Sequence, residues 1–150
     1  MLRLESEEDL IILRENSSIE CKSGVGKDGH GELPKDFWPT YSSFANTHGG
    51  IVLLGLKEIG DKFAILGVRD VDKIRKDLFN NLNNRQKVSV NILEDDHVTE
   101  HVINGKVIVK IEIPRASRSQ RPVFLSENPF GRLTFKRLNE GDVALSEPDR

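Results

Sequence analysis

The stretch SSFANTHGGIVLLGL, residues 42–56, decides how this chain folds. Just upstream and into it, Phe37, Tyr41, Phe44, Ala45 and His48 recur at helical spacing, so the segment opened by Pro34 as a first-turn proline reads as the main helix. That helix runs into Asn46-Thr47-His48-Gly49-Gly50, where the two glycines supply the positive-φ conformation of a helix stop. The chain then passes directly into Ile51–Leu56, an unbroken apolar run that reads as a strand buried on both faces.

Working outward, Ser6 followed by Glu7, Glu8 and Asp9 has the form of an N-cap with acids placed to favour the helix dipole, which predicts a short helix to about Leu13. Ser17–Lys22 reads as a short strand and Gly24–Glu32 as a loop rich in glycine and charge. Beyond the central stretch, Glu58–Lys62 is a turn and Phe63–Leu66 pairs back as a hairpin. Asp70 caps a further helix in which Val71, Ile74, Leu78 and Leu82 share a face, stopped by Asn80, Asn81, Asn83 and Asn84. Val88, Val90 and Ile92 alternate as a strand, and Val107, Val109, Ile111 and Ile113 as another, the two separated by the Asn104-Gly105 turn, a hairpin signal. Pro122–Leu125 and Leu133–Leu138 add two short strands after a polar basic loop, Arg115–Arg121. The order α, β, α, β, β, α and then mostly β argues an α+β fold, a mixed β-sheet packed with two to three helices.

A chain of 150 residues suits one domain with a real core, so residues 1–150 are taken as a single domain. Ser146-Glu-Pro-Asp at the end suits the opening of another helix, which implies that the domain is the N-terminal part of a longer protein. Apolar content of 37% and charged content of 31% are those of an ordinary globular protein. No apolar run approaches the roughly 20 residues of a membrane helix, and the acidic N-terminus is unlike an export signal. With Cys21 the only cysteine, no intrachain disulfide can form, and a reducing cytoplasm is the simplest setting. The net charge is −2, but it is unevenly spread. Residues 110–137 hold Lys110, Arg115, Arg118, Arg121, Arg132, Lys136 and Arg137 against Glu112 and Glu127, a local balance of +5. Attraction to a polyanion depends on the field at one face, so two readings stand open for this strip: a phosphate-binding surface or an ordinary solvated loop.

Gly24-Val25-Gly26-Lys27-Asp28-Gly29 satisfies GxGxxG as a string, but the next helix starts too late to present its N-terminus to a pyrophosphate, so the segment reads as a loop. The histidines at 30, 48, 97 and 101 do not converge at a metal-binding spacing, and no serine lies in GxSxG. The sharpest constellation is acidic. Glu15 sits where the first helix ends, Glu20 on the following strand and Glu58 just past the buried strand. Were the two strands neighbours, three carboxylates would meet at one sheet end, where Mg²⁺ or Mn²⁺ would offset their repulsion. Such a metal could polarise a phosphodiester and generate hydroxide, with Lys22 beside the phosphate. The plainer reading leaves all three carboxylates exposed, with Glu20 and Lys22 forming a surface ion pair of little worth.

These segments together, from about Leu10 to Asp142, resemble the Schlafen AlbA-type domain. Its first signature, two Glu followed by a Phe and a Lys, is matched by Glu15, Glu20 and Lys22, with Cys21 in place of the Phe. Its aromatic-rich helix ending in a SAFANT-GG-type motif is matched at Phe37, Trp38, Ser43–Thr47, Gly49 and Gly50. Gly55-Leu56-Lys57-Glu58 stands where the family has Gly-Val-x-Asp, and Pro122-Val123-Phe124 and Phe135-Lys136-Arg137 match later patterns.

The resemblance implies an AlbA-like fold and a DNA-binding domain of a bacterial transcriptional regulator, requiring no cofactor for binding. The basic residues from Lys110 to Arg137 would then contact phosphates, on DNA or on structured RNA. Vertebrate relatives cleave structured RNA with three acidic residues that map to Glu15, Glu20 and Glu58, so a metal-dependent endoribonuclease is the alternative, and enzyme activity is left open. A protein-interaction or sensor module is the third reading, and self-association is left open with it.

Overall fold

The computed structural model describes residues 4–24, 32–85, 87–125, 133–138 and 141–145, the last two ranges as strand backbone. In chain order the elements are α1 (Glu7–Asn16), β1 (Ile19–Lys22), α2 (Phe37–Asn46), β2 (Gly50–Leu54), β3 (Leu56–Ile59), β4 (Lys62–Ile65) and α3 (Val71–Leu82). A 3₁₀ turn at Asp95–His97 follows, then β5 (Val98–Ile103), β6 (Lys106–Ile113), β7 (Phe124–Leu125), β8 (Leu133–Leu138) and β9 (Gly141–Leu145). This is an α+β fold, with three helices among the described residues. The chain divides into two compact units. The first takes Met1–Pro34, Ile51–Arg75 and Glu94–Glu112, and the second Lys35–Gly50, Lys76–Leu93 and Ile113–Arg150.

The first unit is built on a four-stranded sheet of order β1-β2-β6-β5. β1 runs parallel to β2, with Ile19 opposite Ile51 and Lys22 opposite Leu54, while β5 and β6 form an antiparallel hairpin, so the sheet is mixed. The hairpin turn is Asn104-Gly105, both at positive φ (53° and 74°), the geometry that matches the twist of the paired strands. Helix α1 starts at Ser6, whose hydroxyl accepts from the Asp9 amide at 3.3 Å. It buries Leu10 and Leu13 in a core with Ile19, Leu53, Leu56, Phe63, Ile103 and Ile108. Each such side chain, removed from water, contributes about 1.5–3 kcal/mol before the entropy of ordering is counted. Arg75 ties α3 to the 3₁₀ turn and β5, donating to Asp95 Oδ1 at 2.7 Å and to the Val98 carbonyl at 2.9 Å.

The second unit is organised around α2. Apart from the half-buried Pro39, every residue of this helix is buried, including Thr40, Ser42, Ser43 and Asn46. Phe37 meets Trp38 edge-on at 4.9 Å between ring centroids and Tyr41 in a stacked arrangement at 6.2 Å. A three-stranded sheet of order β7-β8-β9 packs against the helix.

Four expectations need correction. Helix α2 opens at Phe37 after an Asp36 cap, not at Pro34; Pro39 is the proline in its first turn, where an amide has no partner to lose. The run Ile51–Leu56 is not one strand, because Gly55 at φ 99° separates β2 from β3 and starts a new hairpin with β4. Val88–Ile92 forms no strand beyond one bridge, Val88 to Leu125; its backbone is held instead by Tyr41, whose hydroxyl donates to the Val90 carbonyl at 2.8 Å and accepts from the Ile92 amide at 3.1 Å. Gly50 is not at positive φ. A Cβ there would sit 2.6 Å from the Phe44 ring, so it is close packing that calls for glycine. Gly49 does take φ 74°, and a Cβ on it would meet the Ile113 carbonyl at 2.7 Å.

Candidate nucleic-acid interface

The charge asymmetry follows the division into units. The second unit carries 11 Lys and Arg against 7 Asp and Glu, a net of +4, whereas the first carries 11 against 17, a net of −6. A module attracted to a polyanion would present the second unit.

Within that unit the basic loop is fastened to α2 at both ends. Near its start, the Ala116 amide donates to the Ala45 carbonyl at 2.8 Å, and Ala116 is buried. At its far end Asn46 grips both polar groups of Val123, accepting from the amide at 2.7 Å and donating to the carbonyl at 2.8 Å. The Ser42 hydroxyl adds a second donor to the same carbonyl at 2.7 Å. Between these anchors a tight turn closes on itself: the amides of Gln120 and Arg121 both donate to the Ser117 carbonyl at 3.0 Å, and the Ser117 amide donates to Gln120 Oε1 at 2.9 Å. Arg118 stands exposed on this turn, and Arg115 is exposed just before the Ala116 anchor. Arg121 is half-buried, and among the described residues nothing accepts from its buried Nε–H. An orphaned buried donor costs about 1–3 kcal/mol, which an anion at this place would recover.

The remaining members of the basic set are placed differently. Lys110 is corrected: it lies on β6 in the first unit, only 3% exposed, with its ammonium 2.8 Å from Glu112 Oε1. Strand alternation brings residues 110 and 112 to one face, so this cation is taken by an internal carboxylate. Lys136 and Arg137 lie on β8, in register with Val143 and Asp142 of β9. Arg132 lies outside the described residues, as does most of the GxGxxG string.

The three carboxylates are not brought together. Glu15 is exposed on α1. β1 alternates, so Glu20 and Lys22 occupy the sheet face opposite Ile19 and Cys21. Glu58, on β3, belongs to the Cys21 side, where it accepts a hydrogen bond from the thiol. Its partner there is Arg14, which donates to Glu58 Oε2 at 3.1 Å, reaches the Asp61 carbonyl at 3.1 Å and stands 4.8 Å over the Phe63 ring. Burial first, then the charge and hydrogen bond of Glu58, push the Cys21 thiol up to about 12. Among the described residues, no three His, Cys, Asp or Glu side chains stand where they could share a metal ion.

Arg14 and Asn46 are the consequential side chains that the sequence reading passed over. The signal for Asn46 was present: Ser42 and Asn46 are polar residues four apart, hence on one face of a helix that also carries Phe37, Trp38, Tyr41 and Phe44, and a buried pair of this kind calls for partners inside the protein.

Comparison with known proteins bears on this arrangement. Residues 15–146 match the family described as Schlafen, AlbA_2. The chain is similar in structure to the N-terminal domain of an ATP-dependent DNA helicase RecG-related protein from Nitrosomonas europaea, at 22% identity and a TM-score of 0.62, covering 96% of this chain and 97% of that one. It is also similar to the DIP2311 protein from Corynebacterium diphtheriae, at 17% identity and a TM-score of 0.58, covering 88% of this chain and 22% of that one. No curated protein matches the chain. Among the described residues no helix is long and apolar enough to cross a membrane.

Proposed function

Because the chain belongs to the Schlafen AlbA_2 family, we propose that it is a non-enzymatic nucleic-acid-binding module, the DNA-binding part of a bacterial transcriptional regulator acting in the cytoplasm. The observation that carries this reading is the anchored loop: Arg118 exposed on a turn held to α2 at Ala116 and Val123, with Arg115 exposed beside the first anchor. Ordering those arginines in advance lowers the entropic cost of gripping phosphate. Arg115, Arg118 and Arg121 contact phosphates and set the position of the duplex, Arg132, Lys136 and Arg137 extend the contact, and little base reading is involved. The grip is charge on phosphate and needs no metal or cofactor. That the Nitrosomonas europaea protein is named as related to a DNA helicase supports the choice of DNA. Hydrolysis by Glu15, Glu20 and Glu58 is disfavoured by the pairing of Glu58 with Arg14 and by the placement of Glu20 on the opposite sheet face.

Fluorescence anisotropy with labelled duplex DNA and structured RNA tests the proposal. R118E/R121E weakens binding by at least about tenfold at low salt, each reversal replacing an attraction by a repulsion. Undiminished affinity in that variant removes the loop from the interface. Tighter binding to structured RNA replaces DNA as the target.

A further inference from the structure

A second site of different character lies in the first unit. The turn of the β5–β6 hairpin and the segment leading to α3 enclose an open-mouthed cavity of about 550 Å³, within the range of small-ligand pockets. Its walls carry two cations, Arg69 and Lys106, and no carboxylate. Both residues are exposed. The Lys106 ammonium donates to the Ile65 carbonyl at 3.3 Å, which fixes its position and leaves two N–H groups to give. Arg69 has no hydrogen-bond or ion-pair partner among the described residues, so all of its donors are available. Two like charges around one concavity repel, and an anion between them turns that repulsion into attraction.

The rest of the lining says what else the ligand carries. Gly105 leaves its backbone uncovered, a Cβ there having nothing within 4 Å, whereas a Cβ on Gly67 would meet the Lys106 stem, at 3.1 Å from its Cβ. Leu66, 39% exposed, supplies an apolar surface. Two cations and an apolar side chain around one concavity match a phosphate joined to a flat ring. We propose that this cavity binds a mononucleotide-class phosphate monoester, its phosphate between Arg69 and Lys106 and its ring against Leu66. The site uses none of the residues of the arginine loop and does not depend on the DNA reading.

The test is titration of the ¹⁵N-labelled full chain, followed at the amides of Gly67, Gly105 and Val107. Adenosine monophosphate shifts them saturably with a dissociation constant of roughly millimolar order, and R69Q/K106Q, which alters two exposed side chains, weakens this by about tenfold or more. R118E/R121E leaves the titration unchanged, so the two readings fail separately. Four results overturn the proposal: no saturable shift up to about 20 mM, the same shift in R69Q/K106Q, adenosine without phosphate binding as tightly, or inorganic phosphate matching the nucleotide. A short oligonucleotide without a terminal phosphate that shifts these amides when the mononucleotide does not would assign the cavity to a nucleic-acid backbone and overturn it as well.

Discussion

Asn46→Ala isolates the device on which the interface depends. Asn46 is 8% exposed and cannot itself reach a ligand. Removing its amide cancels the bond accepted from the Val123 amide at 2.7 Å and the one donated to the Val123 carbonyl at 2.8 Å. The carbonyl keeps the Ser42 hydroxyl at 2.7 Å, but the buried amide is orphaned. One orphaned donor at about 1–3 kcal/mol, with a further bond lost at about 1 kcal/mol, gives a destabilisation of about 2–4 kcal/mol. For a chain of this size that lowers the melting temperature by about 5–12 °C. Asn46→Asp keeps the acceptor for Val123 but sets a buried carboxylate against the Val123 carbonyl, and costs at least as much. Calorimetry gives the melting shift, and amide hydrogen exchange at Val123 shows whether the loop end has come loose. DNA affinity falls in the folded variant because Arg118 and Arg121 are no longer held in place. A melting shift under about 1 °C with Val123 still protected would refute the clamp.

Gly50→Ala places a methyl group 2.6 Å from the Phe44 ring and costs about 1–3 kcal/mol by overpacking, measured by urea unfolding. Lys110→Met, in contrast, leaves DNA affinity, read by anisotropy, within about twofold of the parent, because the ammonium it removes is occupied by Glu112. The pH dependence of stability carries a definite sign. Burial pushes the Cys21 thiol from 9.0 to about 12 and the Tyr41 phenol from 10.0 to about 12. Unfolding returns both groups to ordinary values, so the unfolded chain ionises first. Their contribution is fully present below about pH 9 and is lost as pH rises toward 12, with a slope of up to about 1.4 kcal/mol per pH unit for each group. Cys21→Ala flattens the first part of that decline. Urea midpoints that stay level from about pH 9 to pH 11 in the parent chain would contradict the assignment.

Much of the fold was legible because local chemistry and tertiary placement agree. Ser6 with its acidic first turn, the Asn104-Gly105 turn and the Val71-Ile74-Leu78-Leu82 face each read as they stand in the structure, although the strand that the turn joins to β6 is Val98–Ile103 and not Val88–Ile92. Misreadings arose where tertiary packing overrides local pattern. Gly55 interrupts an apolar run that periodicity treats as continuous, and Tyr41 satisfies the backbone of Val90 and Ile92 in place of a strand partner. The candidate site shows the same division. Arg115 and Arg118 were identifiable as exposed cations, and the i,i+2 spacing of Lys110 and Glu112 on one strand was a signal for their pairing. Nothing in the chain's linear order says that Arg14 takes Glu58, because that pairing joins α1 to a strand far along the chain.

The salt dependence of DNA binding tests the central claim most directly. Six cations, at positions 115, 118, 121, 132, 136 and 137, are assigned to phosphate. If all engage duplex DNA, the logarithm of the observed association constant falls against the logarithm of salt concentration with a slope of about −5. R118Q/R121Q removes two contacts and flattens that slope by about 2 units. A slope that is the same in parent and variant, or an affinity that does not respond to salt, would contradict the account.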